Sequence, residues 1–248
     1  MTPSTVPTKP GTETGALLAF GAHPDDIEFG AGGIVARETS LGRPAHCVVC
    51  SRGEAATNGT PAVRTREARR AAALLGASVE FADLGGDAHF ELRAAHAIAL
   101  AAIIRRVRPA LVLAPTVVEN QHPDHAKLGR LVRDACRLAR YGGLKELRRR
   151  PPHAVGQLFF YAVTPDAEPS DLGRVVVDLS APGVVATWIA AMEAHASQLK
   201  TRNYVELQLT RARLCGQRAG LEHALPLFPA DAIVVDSLAG LARGARRF

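Results

Sequence analysis

The stretch that decides the fold is ALLAFGAHPDDIEFG, residues 16–30. Its first half is a short, nearly unbroken apolar run, the pattern of a strand covered on both faces. The run stops in a turn of small residues that carries His23, Pro24, Asp25 and Asp26. Helical periodicity follows over 32–42 and stops at Gly42. Two adjacent aspartates repel each other unless something positive sits beside them, so this turn asks for a cation.

The same succession of strand, polar turn and helix repeats downstream. Strands are expected at 45–51, 79–84 and 110–116, and helices at 59–77, 91–109 and 124–143. Thr60 is placed to cap the second helix, with Pro61 at its first position and Gly76 at its stop, and Pro109 ends the third. After a charged, proline-bearing break over 145–156 come two more strands, QLFFYAV (157–163) and RVVVDLS (174–180). A helix over 182–200 starts behind Ser180 as its cap, another runs over 204–219, and AIVVDSL (232–238) reads as a closing strand. This alternation predicts an α/β fold: a single-domain, Rossmann-like, mostly parallel sheet with helices on both faces. The domain is expected over 16–248, behind a disordered lead-in at 1–15 that is rich in Pro, Thr and Gly.

Composition narrows the function classes. The chain of 248 residues is 47% hydrophobic but only 5% aromatic, so Ala, Val, Leu and Ile must fill the core. The net charge of +6 comes from arginines scattered along helices, which argues for a solvated basic face rather than a nucleic-acid partner. There is neither a membrane-length apolar run nor a signal-peptide core, so a cytoplasmic protein is expected. Cys47 and Cys50 form a C-x-x-C on a strand, where residues three apart point to opposite faces, so they are read as core or edge residues. Cys136 and Cys215 read as small core residues on helices.

In an open parallel sheet the ligand site lies beyond the carboxyl ends of the strands. His23, Asp25 and Asp26 follow the first strand; Ser51 to Glu54, Asn58 and Arg64 follow the second; Asp87 follows the third; His122, Asp124 and His125 follow the fourth. A catalytic zinc takes about three His or carboxylate ligands and keeps one position open. His23, Asp26 and His125 can make that set, which leaves Asp25 free to take a proton from a water acidified by the metal. A His–His–carboxylate set also suits Fe(II). Asp25 and Asp26 could instead merely favour a helix N-terminus, and a single H-x-x-D would be read that way. Two such clusters after neighbouring strands reverse that balance. Glu28 is read as serving the helix N-terminus. His46, His89, His96, His153, His195 and His223 are read as surface or satisfied core residues.

AHPDDIE followed by HPDH resembles the PIG-L/LmbE-type zinc-dependent N-deacetylases. NGTPAVRTREARRAAALLG, PDHAKLGRLV and MEAHASQLKT resemble, within that family, the N-acetylglucosaminyl-malate deacetylase branch of bacillithiol biosynthesis. The resemblance implies removal of acetyl from an N-acetylglucosamine conjugate, with His23, Asp26 and His125 as zinc ligands and Asp25 as general base. It makes His122 the histidine that holds the oxyanion or protonates the leaving amine. It makes Arg64 a substrate-binding arginine, places Asp87 where sugar hydroxyls are held, and makes Tyr204 the residue that polarises the acetyl carbonyl. It implies a homo-oligomer, from dimer to hexamer, with a small-molecule substrate; with no membrane-length apolar run, no membrane partner is expected. The stretch before Tyr204 is shorter than the family pattern. Rival readings are another acylated sugar, mycothiol-type or antibiotic-linked, or an inactive sugar-binding relative.

Overall fold

Among the described residues, seven strands line up in the order β3-β2-β1-β4-β5-β7-β6. The computed structural model describes residues 15–119, 122–238 and 244–245. The strands are β1 (Leu17–Gly21), β2 (Ala45–Val49), β3 (Ser78–Phe81), β4 (Leu111–Pro115), β5 (Gln157–Tyr161), β6 (Val175–Asp178) and β7 (Ala224–Pro229). The first five pair in parallel, whereas β7 is antiparallel to both β5 and β6. The helices are α1 (Asp26–Ser40), α2 (Pro61–Leu74), α3 (Ala94–Val107), α4 (Pro123–Ala139), α5 (Val184–Glu193) and α6 (Tyr204–Arg218). The chain is thus one α/β domain with a mostly parallel sheet flanked by helices. All but residue 15 of the expected lead-in lies outside the described residues.

The sheet separates two apolar cores, and strand alternation decides which residue joins which. Leu17 and Ala19 of β1 face α1, α2, α5 and α6, while Leu18 and Phe20 face α3 and α4. Cys47 and Cys50 fall into opposite cores, as their spacing requires. Cys136 and Cys215 are only partly buried. The strand order reverses between β1 and β4, which opens a crevice at the carboxyl ends of these two strands.

Four local expectations change. Helix α1 begins at Asp26, ahead of the expected 32, because its glycines pack rather than turn: a Cβ on Gly33 would meet the Trp188 ring at 3.1 Å. Helix α5 is capped by Gly183 at φ 81, not by Ser180, whose hydroxyl accepts the His223 N–H at 3.2 Å instead. The same helix stops at Glu193, and beyond it Glu67 takes the Ser197 N–H (2.9 Å) and hydroxyl (2.6 Å). Finally, 232–238 is not a strand, and Val234 and Leu238 are exposed there. The last strand is Ala224–Pro229, whose two prolines hide its pattern although Ala224 to Phe228 are buried.

Candidate metal centre and its cavity

The turn after β1 is built around Asp26. As the first residue of α1, it accepts the Ala22 and His23 N–H groups on Oδ2 at 2.8 and 2.9 Å. This folds the turn back so that His23 Nδ1 lies 3.5 Å from Oδ2. From the other side of the crevice, His125 on α4 brings Nε2 to 3.1 Å from Asp26 Oδ1. His23, Asp26 and His125 are all buried, and their ligand atoms lie within 4.8 Å of one another. Two imidazoles and one carboxylate at that spacing fit a zinc-type ion, whose ligands sit about 2 Å from the metal and so about 3.4 Å apart. Burial alone would raise the Asp26 carboxyl, but His125 and His23 outweigh it and hold the group well below the usual range. Burial would lower His23, yet Asp26, Asp124 and Asp87 raise it well above the ordinary histidine value.

Asp25 occupies the cap position before α1 at φ 137, a conformation that non-glycine residues rarely adopt. Its carboxylate lies 3.2 Å from the Arg64 guanidinium, which also donates to the Pro24 carbonyl at 2.9 Å. Burial pushes the Asp25 carboxyl up to about 6, with Arg64 pulling it down. Arg64 reaches this place from α2 by passing against Gly53 (φ 70), where any Cβ would overlap the guanidinium.

His122 caps α4, its Nδ1 facing the Asp124 N–H at 3.4 Å and its Nε2 3.4 Å from Asp87 Oδ1. Asp87, expected as a substrate residue, also lies 3.1 Å from His23 Nε2. Asp124, fully buried, lies 3.5 Å from the same nitrogen. A carboxylate behind a ligating histidine fixes its tautomer and ring orientation. Tyr204 begins α6 on the cavity wall, with its ring 5.5 Å from Phe29 and the Arg202 guanidinium over its face. The cavity measures about 410 Å³ and is lined by every expected site residue: His23, Asp25, Asp26, Arg64, Asp87, His122, His125 and Tyr204.

Sequence reasoning read His195 as a surface or satisfied core residue and Glu28 as serving the helix N-terminus; the structure pairs the two. His195 is fully buried, 3.4 Å from the Glu28 carboxylate, with its ring 6.2 Å from Phe29. Burial lowers its proton affinity, but Glu28 and Asp25 outweigh this and raise it. The two residues are far apart in sequence, and the only local signal was a histidine inside an apolar helix pattern. Gln198 was also missed. It donates to the Asn58 carbonyl at 2.8 Å and joins two walls of the cavity.

These side chains define a class: an α/β protein with a His/Asp group able to hold a metal ion at the switch point of a parallel sheet. The model of the PIG-L family, described as GlcNAc-PI de-N-acetylase, matches residues 18–136. The chain is 35% identical over 129 residues to YaiS of Escherichia coli, described as an uncharacterised deacetylase, covering 49% of this chain and 68% of that protein. It is 33% identical over 144 residues to the 4-oxalmesaconate hydratase of Pseudomonas putida, covering 52% of this chain and 55% of the hydratase. The crystal structure of the conserved protein TT1542 from Thermus thermophilus superposes with a TM-score of 0.77 at 30% identity, over 89% of this chain and 97% of that one. The chain belongs to the PIG-L family. Among the described residues no helix is long and apolar enough to cross a membrane.

Proposed function

We propose that the protein is a metal-dependent N-deacetylase that releases acetate from an N-acetylglucosamine conjugate, with His23, Asp26 and His125 holding a zinc ion. Bound there, a divalent ion polarises the amide carbonyl and lowers the pKa of water toward about 7. Asp25 takes the proton of the attacking water. The Arg64 guanidinium favours its ionised form, as a cation held beside Asp26 would. His122, on the opposite side of the crevice, donates a proton to the departing amine nitrogen. Tyr204 donates to the oxygen that gains charge in the tetrahedral transition state. Asp87 fixes the rings of His23 and His122, and the sugar lies along the wall formed by Asn58, Gln198 and Thr201.

The observation that carries the reading is the charge of this wall. Away from the metal-ligand side the cavity is lined by neutral groups, among them Thr57, Asn58, Thr164, Gln198 and Thr201. Its arginine, Arg64, is already committed to Asp25 and Pro24. Such a lining suits hydroxyls and amides, whereas a polycarboxylate of the oxalmesaconate type would call for uncommitted cations within the cavity rather than at its rim. Lys200 and Arg202 are exposed on either side of the lining residue Thr201, so an acidic aglycone such as malate would meet them at the rim. This favours the N-acetylglucosaminyl-malate substrate of the bacillithiol branch.

The test is acetate release from N-acetylglucosaminyl-malate, with and without a chelator, beside a hydration assay on 4-oxalmesaconate. Asp25→Asn is expected to lose at least about 100-fold in turnover while keeping its metal. His125→Ala is expected to lose the metal itself. Hydration without deacetylation, or full turnover in Asp25→Asn, would reject the proposal.

A further inference from the structure

His23 presents one ring nitrogen, Nδ1, to Asp26. The other, Nε2, faces a second group: Asp87 Oδ1 at 3.1 Å and Asp124 Oδ2 at 3.5 Å, with His122 Nε2 completing the set 3.4 Å from Asp87. The four ligand atoms lie within 4.8 Å of one another. These separations match the edges of a tetrahedron of N and O ligands about 2 Å from a zinc-type ion. We infer that this group is a second divalent-cation site, which shares His23 with the first.

A carboxylate that only orients a metal-bound histidine needs one N–H and one oxygen. Here two buried carboxylates converge on one nitrogen, and a second imidazole sits against one of them. His23 and Asp87 are each more than nine-tenths buried. His23 Nε2, Asp87 Oδ1 and Asp124 Oδ2 are spaced around a common point, where an ion would take the place of the His23 Nε2 proton. The set is also braced from outside: the Ala88 N–H donates to Asp124 at 2.8 Å, with Ala88 held at φ 66, and Glu54 accepts the Asp87 N–H at 3.0 Å. Two imidazole nitrogens and two carboxylate oxygens suit Zn²⁺, Co²⁺ or Mn²⁺ better than Ca²⁺.

Occupation of this site sends the Nε2 proton of His23 to solvent and leaves the ring bridging two ions. It also captures His122 and Asp87. Resting on the deacetylase reading, the consequence is inhibition by excess metal, because His122 can no longer protonate the leaving amine. Occupancy itself does not depend on that reading.

The experiment dialyses the full-length, zinc-loaded protein against rising free Zn²⁺ and measures bound zinc by mass spectrometry. Two equivalents are expected, the second weaker and rising in step with the loss of turnover. Asp124→Asn and His122→Asn should each retain the first equivalent and lose the second, with circular dichroism confirming their fold. His125→Ala should do the reverse and weaken only the first, so failure of the catalytic-centre reading would show separately. Crystals grown in excess zinc should give anomalous density on both sides of the His23 ring. Binding of one equivalent only, or a second equivalent undiminished in both variants, would overturn the inference.

Discussion

Gly129→Ala separates the site's geometry from its chemistry, because Gly129 touches no reacting group. It lies on the face of α4 that packs against the end of β4, one turn beyond His125 and so beneath it. A Cβ there would fall well inside 3.0 Å of the Pro115 carbonyl oxygen, a separation that real Cβ atoms do not show, and 3.2 Å from that of Thr116. Backbone cannot swing aside as a side chain can, so α4 must retreat from the sheet by about half an ångström or more. Overpacking of this kind costs about 1–3 kcal/mol, or about 2–12 °C in melting temperature for a chain of this size. The retreat carries His122, Asp124 and His125 away from His23 and Asp26, which are fixed on the other side of the crevice. Ligand distances in a working metal site hold to about 0.2 Å, so zinc affinity should fall about tenfold or more. Turnover with the first zinc equivalent bound should fall about tenfold as well. Calorimetric melting, competition with a zinc chelator and acetate release measure the three effects. Gly143→Ala, where nothing lies within 4 Å of the added atom, is the neutral control. A Gly129→Ala variant with unchanged melting and zinc affinity would refute the coupling of helix packing to ligand geometry.

Three further outcomes follow from charges and buried polar groups. Arg64→Met removes the cation that pulls the Asp25 carboxyl down, so the acid limb of the kcat/KM profile should move up by about one pH unit or more; an unmoved limb would separate Arg64 from Asp25. In the metal-free protein, the buried His23 and His195 both have raised proton affinity. Their contribution to stability is complete below about 6.5 and fades as pH rises through the folded values, so the melting temperature should drop as pH rises above about 6.5. Zinc needs His23 deprotonated, so the stabilisation on adding zinc should grow over the same range, and a pH-independent zinc effect would contradict the assignment. Arg105 is buried and donates to the carbonyls of Ala139, Tyr141, Leu147 and Arg150 at 2.6–3.0 Å, tying the end of α4 to the segment that follows. Arg105→Met leaves those oxygens without their donor and should cost about 3 kcal/mol or more, seen as a lower urea midpoint with an unchanged slope.

Much of this protein is written locally. Apolar runs broken by polar turns mark β1 to β5, since a strand covered on both faces needs apolar residues throughout. Thr60 and Pro61 mark the start of α2, and Thr60 does accept the Val63 N–H at 3.3 Å. His23 and Asp26, and likewise His122 and His125, are close in sequence and share a turn after a strand, so each half of the site could be read separately. Only the tertiary structure shows that both halves face one cavity, because the order of β1 and β4 within the sheet sets that distance. Glycine carries no apolar signal, so the early start of α1 appears only once Trp188 is packed against Gly33. β-branched residues at 233–235 resemble a strand better than Ala224–Pro229 does, yet the place between β5 and β6 goes to the segment whose side chains both cores bury. Residues that act as buried partners were the least legible. Asp87 and Asp124 behind His23 owe their lowered proton affinity to neighbours brought in from distant segments, as Glu28 owes its place against His195, and no property of one residue or its sequence neighbours encodes that environment.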